Sequence, residues 1–202
     1  MSDNRKFMMC AYNGLLCAAT GFGLIKIGPS EHPYAFAACV IGFARGVINL
    51  VTTLVNEDDE TLRELSWIVG HVMDVVPLPL INVSLYLKAE SNNIALAHGL
   101  FLLPLGVTWL LRKLRNEGDF EEFGTVPTLK ILTILGNITS LVFLAINDSS
   151  WILGGMAALA FMTEIGANYC NDHLIYDSAM PICYFSWSAF YILAALVVTG
   201  EK

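Results

Sequence analysis

The sequence predicts an all-α polytopic membrane bundle of about seven transmembrane helices, forming one domain over residues 1–202, and three observations carry that expectation. Apolar residues make up 55% of the chain against 14% charged, with a mean hydropathy of +0.60, too apolar for a water-soluble domain of this length. They fall into seven runs of 18 to 23 residues. At 1.5 Å per residue, such runs match the roughly 30 Å hydrocarbon layer of a bilayer. None alternates apolar with polar residues, so the backbone must satisfy its hydrogen bonds inside helices rather than in a barrel.

In chain order, the polar start MSDNRKF, with Arg5 and Lys6, precedes a first span near 8–27. That run is longer than the apolar part of a signal peptide, so a membrane span is the simpler reading. It carries a weak polar stripe of Asn13, Cys17 and Thr20. The Gly- and Pro-rich turn IGPSEHP leads to a second span, 33–55, where Gly42-Phe-Ala-Arg-Gly46 is a small-xxx-small pattern that admits a close helix neighbour. The acidic loop NEDDETLRE separates it from a third span, 66–87, and KAESNN closes that one before a fourth, 94–111. The longest polar segment, RKLRNEGDFEEFGT, precedes a fifth span, 126–146. NDSS turns the chain into a sixth, 151–168, the weakest of the set because it holds Glu164 and several glycines. YCNDHLIYDSAM links it to a seventh, 181–199.

With seven crossings, the excess of Lys and Arg places the N-terminus in the cytosol and the C-terminus outside: Arg5, Lys6, Arg63, Arg112, Lys113, Arg115 and Lys130 lie inside, against Lys26, Lys88 and Lys202. The sequon at Asn147 then faces outward in a turn too short to favour glycosylation. A net charge of -7 and no basic tract exclude nucleic acid as a partner. Five scattered cysteines, Cys10, Cys17, Cys39, Cys170 and Cys183, lack the spacing of a zinc knuckle or disulfide framework. Cys10, beside the basic start, reads as a plain thiol ahead of a palmitoylation site.

Chemistry is expected from polar groups inside the spans, because lipid offers them no partners and each has to find one in the protein. Arg45 and Asp74 sit at similar predicted depth in consecutive antiparallel spans and are expected to pair, as a structural lock or as a transport site. Asn49 follows Arg45 by one turn. His71 precedes Asp74 by one turn, and the shared face suggests a shared proton. No second ligand pair completes a metal site around them, and no cofactor is indicated.

His98 precedes Pro104 at the spacing with which His71 precedes Pro77, a match more readily explained by chance than by an internal repeat. In the fifth span, Lys130, Thr133, Asn137 and Ser140 recur every three or four residues and form a stripe facing the bundle interior. Lys130 is expected to pair with Glu164 of the sixth span or to snorkel to the headgroups. Together these groups suggest a water-accessible interior lined by spans one, two, three, five and six.

Several classes lack their residues here. No lysine in the seventh run can hold retinal, the chain has no glutamine for a Pro-Gln transporter motif, and its four histidines do not cluster as a membrane zinc hydrolase or a haem site requires. An enzyme is not indicated. The expected function is passage of a small polar solute, ion or proton, with Arg45, Asn49, His71, Asp74, His98, Lys130, Asn137 and Glu164 as pathway candidates. The competing reading is an accessory or structural subunit whose buried ion pairs fix the fold or dock a membrane partner. The expected partners are the lipid bilayer and either a second copy of the chain or another membrane protein.

Overall fold

The computed structural model describes residues 3–55, 60–89, 92–100, 102–103, 106–107 and 125–200. Among the described residues the regular structure is helical throughout. Helix α1, Asp3–Lys26, begins five residues before the expected span. The polar start is compatible with helix because Asp3 lies in its first turn and Lys26 in its last, each opposing the helix dipole. Helix α2, Pro33–Leu54, begins on Pro33, whose fixed φ and missing N–H suit a first turn.

The third span is two helices, α3 at Glu60–Val75 and α4 at Pro77–Lys88, meeting at Val76. Pro77 and Pro79 have no N–H to donate to the carbonyls of Met73 and Val75, which breaks the ladder there. The first half starts at Glu60, inside what the sequence suggested was loop, and this shift matters below. Helix α5, Asn92–Leu100, is the well-described part of the fourth span. Arg112, Lys113, Arg115 and Pro104 lie outside the described residues, so the His-Pro match and the cytosolic basic cluster do too. Helix α6 spans Thr125–Asn147.

From Trp151 the chain runs helically to His173 as α7, Trp151–Phe161, a π-helical segment, Met162–Gly166, and α8, Ala167–His173. The glycines and Glu164 that weakened the sixth span in the sequence thus change the helix type without ending it. Met162 folds over Gly166, where an added Cβ would meet its Sδ at 2.6 Å. Helix α9, Ala179–Thr199, closes the bundle and ends at Gly200 with φ of 78°, a left-handed cap that suits glycine.

Five helical stretches are long and apolar enough to cross a membrane: Asp3–Lys26, Pro33–Leu54, Glu60–Lys88, Thr128–Asn147 and Ala179–Thr199. The first, third and last of these run in one direction, as odd-numbered crossings of a seven-crossing chain do. At one end Lys88 Nζ donates to the carbonyls of Val197 and Val198, 2.6 and 3.2 Å away, so the ends of α4 and α9 are neighbours. At the other end Asn4 and Arg5 share a crevice with Asp177 and Pro181, so the starts of α1 and α9 are neighbours.

Helix α4 is the centre, packed against α2, α3, α5, α6 and α9, and is buried on every side from Ile81 to Tyr86. Its Ser84 hydroxyl accepts the backbone N–H of Ala35 at 2.9 Å, satisfying one of the open donors at the start of α2. The expected close approach at Gly42 and Gly46 is present. A Cβ at Gly42 would lie 2.7 Å from Thr20 and 2.8 Å from Tyr191, and one at Gly46 would lie 2.5 Å from the Cys17 sulfur. Helices α1 and α9 therefore pack on α2 through positions where only hydrogen fits.

Candidate functional site

Two polar clusters lie inside this bundle, one toward the end that carries the N-terminus and one beyond it. The first lines a cavity of about 330 Å³ bounded by Leu16 of α1, Arg45 of α2, Asp74 of α3, Lys130 of α6, Glu164 of the π-segment and Tyr184 of α9. The expected interior between spans one, two, three, five and six is thus present, with the seventh span added as a wall. Thr163, Asn168, Cys183 and Trp187 complete its polar and aromatic lining.

Asp74 does not pair with Arg45. Its Oδ2 accepts from Lys130 Nζ at 2.8 Å, while Arg45 Nη1 donates to the carbonyl of Ser66 and, at 3.3 Å, to its hydroxyl. The reason is register. Because α3 starts at Glu60, Asp74 lies fourteen residues along it, about 21 Å from its start, whereas Arg45 lies nine residues, about 14 Å, before the end of α2 at Leu54. Gly70, one turn shallower than Asp74, faces Arg45 instead, and a Cβ there would lie 2.8 Å from Nη1. The guanidinium lies against this bare patch of helix and reaches Ser66, the next residue on the same face.

Lys130 is accordingly committed to Asp74 rather than to Glu164 or the headgroups. Glu164 faces the same cavity, and no protein hydrogen bond to its carboxylate is present among the described residues. It projects from the π-segment, a geometry recurrent at functional sites because the extra residue per turn re-aims side chains. Asn49 continues the Arg45 contact: its Oδ1 accepts from Ser66 Oγ at 2.8 Å, and its Nδ2 donates to Tyr184 OH at 3.1 Å, joining α2, α3 and α9. Tyr184 stacks in turn on Tyr12, centroids 5.8 Å apart.

His71 is absent from the cavity lining. Its ring packs on Trp67, centroids 4.1 Å apart, with Nδ1 2.9 Å from the Trp67 carbonyl, so the expected proton partnership with Asp74 gives way to a contact one turn back along α3.

The second cluster joins α4, α5 and α6. Asn137 Nδ2 donates to Thr133 O at 2.8 Å, which fixes the amide so that Oδ1 faces His98 Nδ1 at 2.9 Å. That nitrogen therefore carries the ring hydrogen, and Nε2, the acceptor of the neutral ring, lies 2.9 Å from Ser140 Oγ, which is also 2.7 Å from Tyr86 OH. Asn82 Nδ2 donates to Asn137 O and Oδ1 at 2.9 and 3.0 Å. Tyr86 donates to Ser140 O at 2.9 Å and stacks on His98, centroids 5.1 Å apart. The stripe on α6 thus divides: Lys130 serves the cavity, while Asn137 and Ser140 close a packed junction.

Ser66, Gly70, Tyr184, Asn82 and Tyr86 were not singled out as site residues in the sequence. Asn82 and Tyr86 carried a signal, polar groups that with Ser84 recur every second residue in an apolar run. Gly70 carried none, since its use depends on which residue of α2 lies opposite.

A family model described as a domain of unknown function, DUF4791, matches residues 29–198. No curated protein and no solved structure matches the chain.

Proposed function

Since the chain belongs to the DUF4791 family, whose description names no activity, we propose from the geometry that it is a multi-pass integral membrane protein that passes a small polar solute through the cavity between Arg45, Asp74, Lys130 and Glu164. Membrane residence is supported by the five apolar helices and by large apolar side chains such as Leu132, Phe143, Ile146 and Trp151, which point away from the bundle. In this reading the bilayer is the surrounding partner and the N-terminus lies in the cytosol. The cavity then lies toward the cytosolic half, where Ala179 and Met180 at the start of α9 line it.

The observation that carries the proposal is Glu164. A fold-stabilising lock needs an ion pair, and Lys130 with Asp74 supplies one. It needs neither a cavity beside the pair nor a second carboxylate held there without a protein donor. The Asn82, Asn137, His98, Ser140 and Tyr86 cluster closes the route beyond the cavity, as a path that opens to one side at a time requires.

The test is uptake. Proteoliposomes are incubated with an equimolar panel of small sugars, amino acids, carboxylates and amines, and their contents are read by mass spectrometry. Enrichment of a solute over protein-free vesicles, lost in folded Glu164→Gln, is expected. Absence of any enrichment would overturn solute passage and leave the accessory-subunit reading.

A further inference from the structure

Resting on that reading of the cavity, we infer that its ligand is a small zwitterion, carrying a carboxylate and an ammonium group on one compact skeleton. Four ionisable side chains line the space, Arg45 and Lys130 against Asp74 and Glu164, so in their charged forms the wall is neutral overall. Two of the four neutralise each other directly, Lys130 Nζ lying 2.8 Å from Asp74 Oδ2. The remaining two, opposite in sign in their charged forms, have hydrogen-bonding capacity to spare. Arg45 uses Nη1 on Ser66, and its other guanidinium nitrogens have no hydrogen-bond acceptor among the described residues. Glu164 has no donor there.

A net anion or cation in this space would leave one charge uncompensated inside the membrane, where isolated charges are costly. A zwitterion adds none. Its carboxylate meets the free edge of Arg45, in the forked geometry guanidinium offers, and its ammonium meets Glu164. A volume of about 330 Å³ lies at the small end of ordinary ligand pockets, which limits the skeleton to a few carbons. Cys183 and Trp187 on α9 supply the apolar wall against which such a skeleton rests.

Three probes isolate the claim. L-Alanine carries both groups, propionate is the same skeleton without the ammonium, and ethylamine lacks the carboxylate. Binding to the purified full chain in nanodiscs, read by isothermal titration, is expected for alanine or for its small neutral homologues serine and glycine, at least tenfold tighter than for propionate or ethylamine. Arg45→Gln and Glu164→Gln should each weaken it at least tenfold, with melting temperatures matching the parent verifying the fold. Propionate binding as tightly as the zwitterions would overturn the inference in favour of an anion site. So would binding of no zwitterion. Uptake of another solute in the vesicle panel, with no zwitterion binding, would remove this inference and leave solute passage standing. Zwitterion binding without uptake would do the reverse.

Discussion

Asp74 on α3 and Lys130 on α6, fifty-six positions apart in the chain, are joined carboxylate to ammonium at 2.8 Å. Their side chains are 46% and 34% exposed, because both face the cavity rather than packed protein. That exposure decides the magnitude. A fully buried pair broken on one side costs about 3 to 5 kcal/mol and a surface pair under about 1, so an intermediate cost of about 1 to 2 kcal/mol is expected for Asp74→Asn or Lys130→Met. The charge swap Asp74→Lys with Lys130→Asp should recover at least half, by unfolding in mixed detergent. A double-mutant cycle on Arg45 and Asp74 should give coupling near zero. Strong coupling there would mean that Arg45 is the true partner.

Gly70 tests the seat of Arg45. Gly70→Ala puts a Cβ about 2.8 Å from the guanidinium, and the neighbour that must yield is the end of a flexible side chain. Stability should therefore change by less than about 0.5 kcal/mol, with the helix preference for alanine offsetting the displacement. Solute uptake should fall on the order of tenfold, the worth of one misplaced charge-assisted hydrogen bond. Unchanged uptake would show that the position of Arg45 does not matter.

How much of this was legible in the sequence follows from what each feature depends on. Span existence depends on composition alone, and α1, α2, α6 and α9 start and stop within a few residues of expectation. The glycine pair at 42 and 46 was legible because close approach is a local property of one helix face. Ion pairing was not. It depends on the relative register of two helices, and six residues of unsuspected helix before Ser66 moved Asp74 from Arg45 to Lys130. The direction of the His71 ring was equally hidden, since both rotamers keep the residue on the same face.

Two glycines should respond in opposite directions. At Gly46 a methyl group meets the Cys17 sulfur at 2.5 Å and the Asn13 carbonyl, which is backbone, at 3.2 Å, so Gly46→Ala should cost about 1 to 3 kcal/mol by overpacking. At Gly14 nothing lies within 4 Å, and Gly14→Ala should be neutral or stabilise by up to about 1 kcal/mol. Melting of both variants in one detergent is the comparison. Equal shifts would contradict the close contact between α1 and α2.

Asn137 is the hub of the second cluster, and removing it strands more groups than removing its neighbours. Asn137→Ala deprives His98 Nδ1 of its acceptor and Asn82 of its Oδ1 partner, while Asn82 keeps the Asn137 carbonyl. Membrane hydrogen bonds average about 0.6 kcal/mol, but each buried group left unpaired costs about 1 to 3, so a loss of about 2 kcal/mol is expected. Ser140→Ala keeps the Ser140 carbonyl that Tyr86 uses and leaves one buried acceptor, His98 Nε2, unpaired, so it should cost about 1 kcal/mol, less than Asn137→Ala. If the cluster also closes the route beyond the cavity, Asn137→Ala should raise passive leak of the transported solute, whereas Ser140→Ala should not. Equal stability losses in the two variants would remove Asn137 from the hub, and a leak in neither would confine the cluster to holding α4, α5 and α6 together.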